Sequence, residues 1–466
     1  QSLNHDFPGY HLVMKVEIWN RGTSEEDVAY RIDGPNGLPL EGWWYSYKTH
    51  PSWGSAGARD VIWRVNGNKA SLRSPSQIHK ELDEEKEELN PAIPLLADRP
   101  SLEDRTLDYL GIDTQYFSAV MLAGEAKTPG TIVCQQAYSV PLGDAKSLDG
   151  KKIRTMNTTF RMVSDRATIQ PGESVSHEYH LFLGPKSTNL LKEYGISGII
   201  EYGWFSFVAR PLSRLLHFFY RITWNYGLAI ILLTVLVRGC MFPVGRKAAR
   251  NAQMMQELAP EIKKIKEKYK NDMEKQAQAQ RELWKKHNFN PLGGCWLMFL
   301  QLPIFIGLYR CLSVDIELRQ APLIPGIQWC SNLAAPDMFF KWESQSLQFL
   351  TGTAGWLGPY LNVLPIVTIA LFMLQQKLFT PPATDEQTMM QQRMMKYMMV
   401  LMGFLFFKVP SGLCIYFIAS SLWGIAERKL LPKPDLKKTA EAGSTAEKRK
   451  PAADEPDHRG KRKRRR

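Results

Sequence analysis

An arginine at position 238 sits inside an otherwise apolar run, 226–244, and no other residue of the chain has a type and place that ask so much of their surroundings. It is the thirteenth of nineteen residues, so a helix rising 1.5 Å per residue puts it about 9 Å from the far end of the run. An arginine in hydrocarbon costs a few kcal/mol even on a lenient scale, and it normally faces a wet cavity or a partner. The competing explanation is that the long side chain snorkels to the near interface. Thr234, one turn earlier on the same face, favours a polar cavity. Other apolar runs offer matching polar groups: Gln301 beside Pro303, Gln375 and Gln376 at the end of a third run, and Tyr416, Ser420 and Ser421 in the last. No Asp, Glu or His lies within these runs. That favours a hydrated groove around Arg238 over a buried salt bridge, and it argues against a proton relay.

A second cluster is apolar. Met389, Met390, Met394, Met395, Met398, Met399 and Met402 crowd the run 389–409. Flexible thioethers suit a face that accepts many different apolar partners, with Met395, Met398, Met399 and Met402 best placed for contact, although lipid-facing or core filler is equally compatible. Enzyme chemistry finds no footing. The histidines are scattered, the six cysteines have neither metal-ligand nor disulfide-framework spacing, and no Gly-rich phosphate loop is present, so neither a cofactor nor a metal is expected.

The elements that must position these residues fall into contrasting halves. A mean hydropathy of -0.27 over 466 residues resembles that of a soluble protein, but the apolar residues concentrate in 204–431. Residues 1–195 read as β structure. Period-two stretches such as His11-Leu12-Val13-Met14-Lys15-Val16-Glu17-Ile18 are broken by turn signals such as Asn20-Arg21-Gly22, and 158–163 and 176–183, either side of Gln170-Pro171-Gly172, suggest a strand pair. A β-sandwich is expected. Residues 196–222 interleave aromatic and basic residues at helical spacing, as in a helix lying in a membrane interface; a core helix of the β domain is the other reading. Five apolar segments follow at 226–244, 292–312, 360–378, 389–409 and 412–426. The first three have about the 20 residues that cross a bilayer. In the fourth, only eleven uncharged residues separate Lys396 from Lys408, about 16 Å of helix, so it must thin the bilayer or let its lysines snorkel.

Charge sets the orientation. The loop 245–290 is rich in Lys and Arg, whereas 313–359 holds only Arg319 and Lys341, so the positive-inside rule places the first loop and the C-terminus in the cytoplasm and the β domain outside. Met255, Leu258, Ile262, Ile265 and Tyr269 form a heptad seam in that loop, and a second helical stretch after Asn271-Asp272 predicts an antiparallel hairpin over 245–290. No basic-then-apolar leader precedes the β domain, so a further N-terminal segment is expected.

Several blocks, in order, resemble the YidC/Oxa family of membrane protein insertases in its bacterial form with a large periplasmic domain. They are Thr234-Val235-Leu236-Val237-Arg238-Gly239 through Pro243, Asn290-Pro291-Leu292-Gly293-Gly294-Cys295, Gln301-Leu302-Pro303-Ile304-Phe305, Glu317-Leu318-Arg319-Gln320-Ala321-Pro322 and Pro410-Ser411-Gly412-Leu413. Weaker similarity lies at Gln115-Tyr116-Phe117 and Gly184-Pro185-Lys186. The resemblance implies a polytopic α-helical protein of the bacterial inner membrane, with a periplasmic β domain and an insertase core at 223–431. It also implies a hydrophilic groove, open to cytoplasm and lipid, built on Arg238 and lined by Thr234, Gln301 and Tyr416; Gln376 and Ser420, polar groups of the neighbouring runs, and Phe417 are expected in the same client-binding groove. Close relatives carry Tyr or Trp where this chain has Phe417. Nascent membrane proteins, the lipid bilayer, the ribosome and the Sec translocon are the implied partners. The alternatives are a channel or transporter with Arg238 as an anion site, for which no inverted repeat is visible, and an accessory chaperone that does not itself insert.

The tail 432–466 carries thirteen Lys or Arg against six Asp or Glu, about half of the net charge of +13. It lacks apolar residues for a core and is expected to be disordered when free. Lys448-Arg449-Lys450 and the run Lys461, Arg462, Lys463, Arg464, Arg465 and Arg466 are dense enough to neutralise several phosphates, which points to ribosomal RNA ahead of anionic lipid or mere solubility. About six phosphate contacts predict a log-log salt slope of roughly -4 to -5 for ribosome binding. Detergent-solubilised protein titrated onto ribosomes is expected to lose that slope on removal of 432–466, and equal affinity and slope with and without the tail would refute the assignment.

Overall fold

A computed structural model describes the chain except for residues 1–8, 43, 46–47, 49–55, 85–91, 99, 126–127, 146, 149, 270–271, 288–294, 343–347, 353–354, 380–385 and 431–466. The tail and its basic runs therefore lie outside the described residues. The strands of the N-terminal region are β1 (His11–Trp19), β2 (Glu26–Val28), β3 (Arg31–Asp33), β4 (Asp60–Val65), β5 (Ser71–Arg73), β6 (Ile93–Pro94), β7 (Thr106–Asp113), β8 (Phe117–Glu125), β9 (Thr128–Gly130), β10 (Ile132–Leu142), β11 (Asn157–Ser164), β12 (Ala167–Ile169) and β13 (Ser174–Pro185). Short helices α1 (Pro75–Glu84), α2 (Gly150–Ile153) and α3 (Thr188–Glu193) lie among and after them.

Among the described residues, eleven strands share one sheet whose main path runs β1-β13-β8-β7-β10-β11-β3. β10 turns the corner: Ile132 and Val133 pair with β7, and the rest of the strand pairs with β11 after a register shift between Cys134 and Gln136. The sheet folds over on itself there, so Leu107, Leu110, Ile112 and Met121 from one limb pack in one core with Ala137, Phe160 and Met162 from the other. The strand pair expected from 158–163 and 176–183 does not form. β11 pairs with β10 and β3, while β13 pairs with β1 and β8. The Gln170-Pro171-Gly172 turn instead follows β12, which pairs with β2, because three residues of β12 are enough to carry the chain to another edge.

A four-member ionic cluster is sealed inside the β domain. Lys48 Nζ lies 2.5 Å from Asp60 and 2.8 Å from Asp113, and Lys186 Nζ lies 2.9 Å from Asp113. Ser118 donates to Asp113, and Lys48 and Lys186 also donate to the Asp113 and Thr114 carbonyls. Burial by itself would raise both carboxyls. Asp113 meets two ammonium groups, which outweigh burial and hold it below the ordinary carboxylate range, whereas Asp60 has Lys48 and is left above that range.

Beyond the sheet, the helix expected to lie in a membrane interface begins later than 196. Gly203, at φ 75°, breaks the chain, and α4 runs Ser206–Thr223 until Trp224 closes it in the left-handed conformation. Ala209, Leu212, Ser213 and Leu216 are its buried face, while Phe207, Arg210, Arg214, Phe218, Arg221 and Ile222 are exposed. α5 (Tyr226–Lys268) continues unbroken from the first apolar run through the first arm of the expected hairpin, with no boundary at 244. α6 (Met273–Lys286) follows, its N-terminus capped by the Asp272 side chain accepting from the Lys275 amide, and Leu258 and Ile262 pack against Leu283.

The remaining helices are α7 (Cys295–Val314), α8 (Gln348–Thr351), α9 (Val363–Phe379), α10 (Glu386–Phe406) and α11 (Ser411–Leu430). The third apolar run does not start its helix at Tyr360. Residues Tyr360–Leu361 form β15, paired with β14 (Phe340–Lys341), and Asp337 then accepts from the Val363 amide to begin α9. The same loop clasps the α10–α11 turn: Ser411 N donates to Ala335 O, Gly412 N to Leu333 O, and Asn362 Nδ2 to Phe407 O. Among the described residues, Tyr226–Lys247 is the one helical stretch both long and apolar enough to cross a membrane; Leu300–Val314, Val363–Leu378 and Ser411–Glu427 are shorter apolar helices. The chain divides into two compact units, one of residues 1–236, 302–370 and 400–420 and the other of 237–301, 371–399 and 421 onward.

Replacing Lys48 by Ala leaves Asp60 buried without its ammonium partner and Asp113 with Lys186 alone, and a loss of about 3–5 kcal/mol is expected. Denaturant unfolding of the full chain, followed by tryptophan fluorescence, is expected to shift to a lower midpoint; an unchanged midpoint would mean that the cluster is hydrated.

Candidate functional site

Arg238 lies on α5 and is half-buried. Thr234, a turn earlier, is fully buried, and its hydroxyl donates to the Ile230 carbonyl at 2.7 Å, so the group expected to face a polar cavity is satisfied by its own helix. Gln301 on α7 and Gln376 on α9 are half-buried, and Ser420 and Ser421 on α11 are buried.

In the first unit, α5 and α11 meet at Gly412. A Cβ there would lie 3.0 Å from Ile230 Cδ1 and 3.1 Å from the Leu333 carbonyl, so the Pro410-Ser411-Gly412 block needs glycine for this close approach. Tyr416, one turn on, is 1% exposed. Phe417 points into an aromatic group, its ring centroid 5.5 Å from both Phe305 and Phe406, which accounts for an apolar residue at that position. Met402 is exposed, in the same unit.

In the second unit, Met394, Met395 and Met398 of α10 are exposed and Met399 is half-buried, an apolar face without cover among the described residues. One residue escaped the sequence analysis. Glu427 stands just past the apolar run 412–426, but α11 continues to Leu430 and brings its carboxylate to within 3.1 Å of where a Gly245 Cβ would lie. Gly245 is seven residues beyond Arg238, on the same face of α5. A carboxylate therefore approaches the arginine-bearing face of α5, a contact that a run-by-run search for charges could not find.

At the other end of α5, Tyr226 donates to Glu317, and His217 of α4 lies 2.7 Å from Asp315 and 3.8 Å from Glu317. Burial would lower His217, but the hydrogen bond to Asp315 and the two carboxylate charges outweigh it and raise its pKa.

A folded-over β domain precedes a set of apolar helices, one of which, Tyr226–Lys247, is long and apolar enough to cross a membrane and carries a half-buried arginine. Two family models match: the one described as 60Kd inner membrane protein over residues 218–438, and the YidC periplasmic domain over 76–215. The chain belongs to the YidC family. The "Membrane protein insertase YidC" of Pelobacter propionicus is 37% identical over 334 residues, covering 71% of this chain and 55% of that protein. That of Geotalea daltonii is 35% identical over 284 residues, covering 60% of this chain and 48% of that protein. The chain thus spans about half the length of the curated relatives it matches. A solved structure titled "Active YidC insertase crystal structure with the first transmembrane domain resolved" overlays with a TM-score of 0.39 at 18% identity, over 74% of this chain and 80% of that one, too loosely to bear on the fold.

A raised His217 stabilises the α4–α5 end when protonated. That contribution is fully present below the unfolded value of about 6.5 and is lost as pH climbs through the higher folded value. The difference in thermal midpoint between the wild type and His217→Gln is therefore expected to be largest at acid pH and to shrink above pH ~6.5. A difference that stays flat across this range would contradict the assignment.

Proposed function

We propose that this chain is a membrane protein insertase of the bacterial inner membrane, acting without a cofactor, with its β domain in the periplasm and its C-terminal tail in the cytoplasm. The observation that carries the proposal is Arg238, a cation half-buried on the one described helix long and apolar enough to span a bilayer. An arginine so placed draws water and offers a positive charge part-way into the membrane. Arg238, Thr234, Gln301, Gln376, Tyr416, Phe417 and Ser420 form the client groove in this proposal. A client's polar segment enters there, and its apolar helix leaves along the methionines of α10, which are exposed and adaptable. Transfer of that helix from water to lipid supplies the drive, so no nucleotide is required.

Five crossings, the fourth and fifth with apolar stretches short enough to thin the bilayer, shorten the path a polar segment must travel. The exposed face of α4, with Phe207 and Phe218 among Arg210, Arg214 and Arg221, suits the headgroup level. The α5–α6 hairpin and the basic tail form the cytoplasmic side, where the tail docks the ribosome and delivers nascent membrane proteins; the Sec translocon is a further partner.

Purified protein reconstituted alone into liposomes is expected to insert a small single-span client. Under the same conditions Arg238→Ala is expected to fold but to insert clients with acidic translocated segments about fivefold more slowly, the loss of roughly 1 kcal/mol of charge attraction in wet surroundings. Arg238→Lys recovers part of the rate. Wild-type rates for every such client in Arg238→Ala would refute the groove-charge mechanism, and no insertion by the wild-type protein would refute the insertase proposal itself.

A further inference from the structure

Two blocks of the β domain, Gln115-Tyr116-Phe117 and Gly184-Pro185-Lys186, have no part in the groove, and the structure brings them to one place. Thr114, Gln115 and Tyr116 form the turn between β7 and β8. The backbone amide of Lys186 donates to the Tyr116 carbonyl at 2.8 Å, and its ammonium grips the Thr114 carbonyl and Asp113. Lys48 holds Asp113 from the other side. The ionic cluster is thus the anchorage of this turn, and the turn presents Gln115.

Gln115 Nε2 donates to the Ser313 carbonyl at 2.7 Å, a buried bond from the β domain to the end of α7. Six residues further on, Arg319 Nε meets Glu41 Oε2 at 2.5 Å, and its guanidinium lies 5.4 Å from the centre of the Phe117 ring. Between these two contacts the same segment turns the other way. Asp315 takes His217 of α4, and Glu317 takes the Tyr226 hydroxyl at the start of α5. Asp315 also accepts from the Glu317 amide, and Leu318 is fully buried, so the 3-10 turn Ile316–Leu318 is held rigid between its two sets of partners.

We propose that residues 313–319 are a coupling hub that fastens the β domain, through Gln115 and Glu41, to the ends of α4 and α5, through His217 and Tyr226. The β domain is thereby a positioning part of the membrane core, setting where the arginine-bearing helix begins, and is not an appendage tethered by a linker. Ser313 and Arg319 serve the domain, Asp315 and Glu317 serve the helices, and a short rigid turn cannot release one pair without disturbing the other. The proposal does not depend on insertion activity, because it concerns the mechanical linkage alone.

Amide hydrogen exchange of the full chain in lipid nanodiscs tests it, since exchange reads local opening. Gln115→Ala, Glu41→Arg and Arg319→Glu, none of which touches His217 or Tyr226, are each expected to speed exchange at 217–228 by about fivefold. Exchange at 176–183 in the β13 core is expected to stay at the wild-type rate, showing that the domain remains folded. Combining Glu41→Arg with Arg319→Glu restores the ion pair in reverse and is expected to return 217–228 to the wild-type rate. Gln115→Ala brings no new charge and keeps the test decisive should a reversed charge prevent folding. Wild-type exchange at 217–228 in all the single variants, or a double variant as fast as its parents, overturns the proposal.

Discussion

Hydrocarbon offers a peptide group no hydrogen-bond partner, and the apolar helices of this chain and the loops that end them answer to that constraint. Inside the apolar helices the backbone satisfies itself, and the polar side chains follow suit where they can: the Thr234 and Thr368 hydroxyls both return to the carbonyl four residues back. Where a helix ends, its free amides and carbonyls must be met by something. Asp337 meets the first amides of α9, Asn362 meets the Phe407 carbonyl, and the carbonyls of Leu333 and Ala335 meet Gly412 and Ser411 at the start of α11. The long loop after α7 is therefore the fixture that terminates three helices.

The same constraint gives Arg238 its meaning. A guanidinium cannot be left dry, and on α5 it must have water, a carboxylate or both. Glu427 approaches the same face of α5 two turns further on, at Gly245.

Charge is handled differently in the β domain. There Lys48, Asp60, Asp113 and Lys186 are dry and neutral as a set, which is weak as a source of stability but strict as a source of geometry, since each ion has essentially one arrangement in which it is paired. That strictness is spent on one turn, the turn that carries Gln115 to α7. Buried charge here specifies position, whereas the charge on α5 is only half-buried.

Much of this was legible in the residues themselves. Period-two alternation marks β1, the apolar runs mark α5, α7, α9 and α11, and an arginine inside such a run is visible because hydrophobicity is a local property that each stretch carries with it. Strand partners, helix ends and convergent contacts were not. The turn at Gln170-Pro171-Gly172 is plain in the sequence, but nothing local reveals that β12 passes to β2 before β13 begins, because register is decided by which edge is free. Helix α9 starts at Val363 on account of Asp337, and Glu427 belongs with α5 because α11 outruns its apolar stretch. Gln115, His217 and Glu317 look like unrelated polar residues, 198 positions separating Gln115 from its partner Ser313. Local chemistry is written along the chain, whereas the pairing of distant polar groups is decided only when the fold removes water from around them and leaves each with a single neighbour able to replace it.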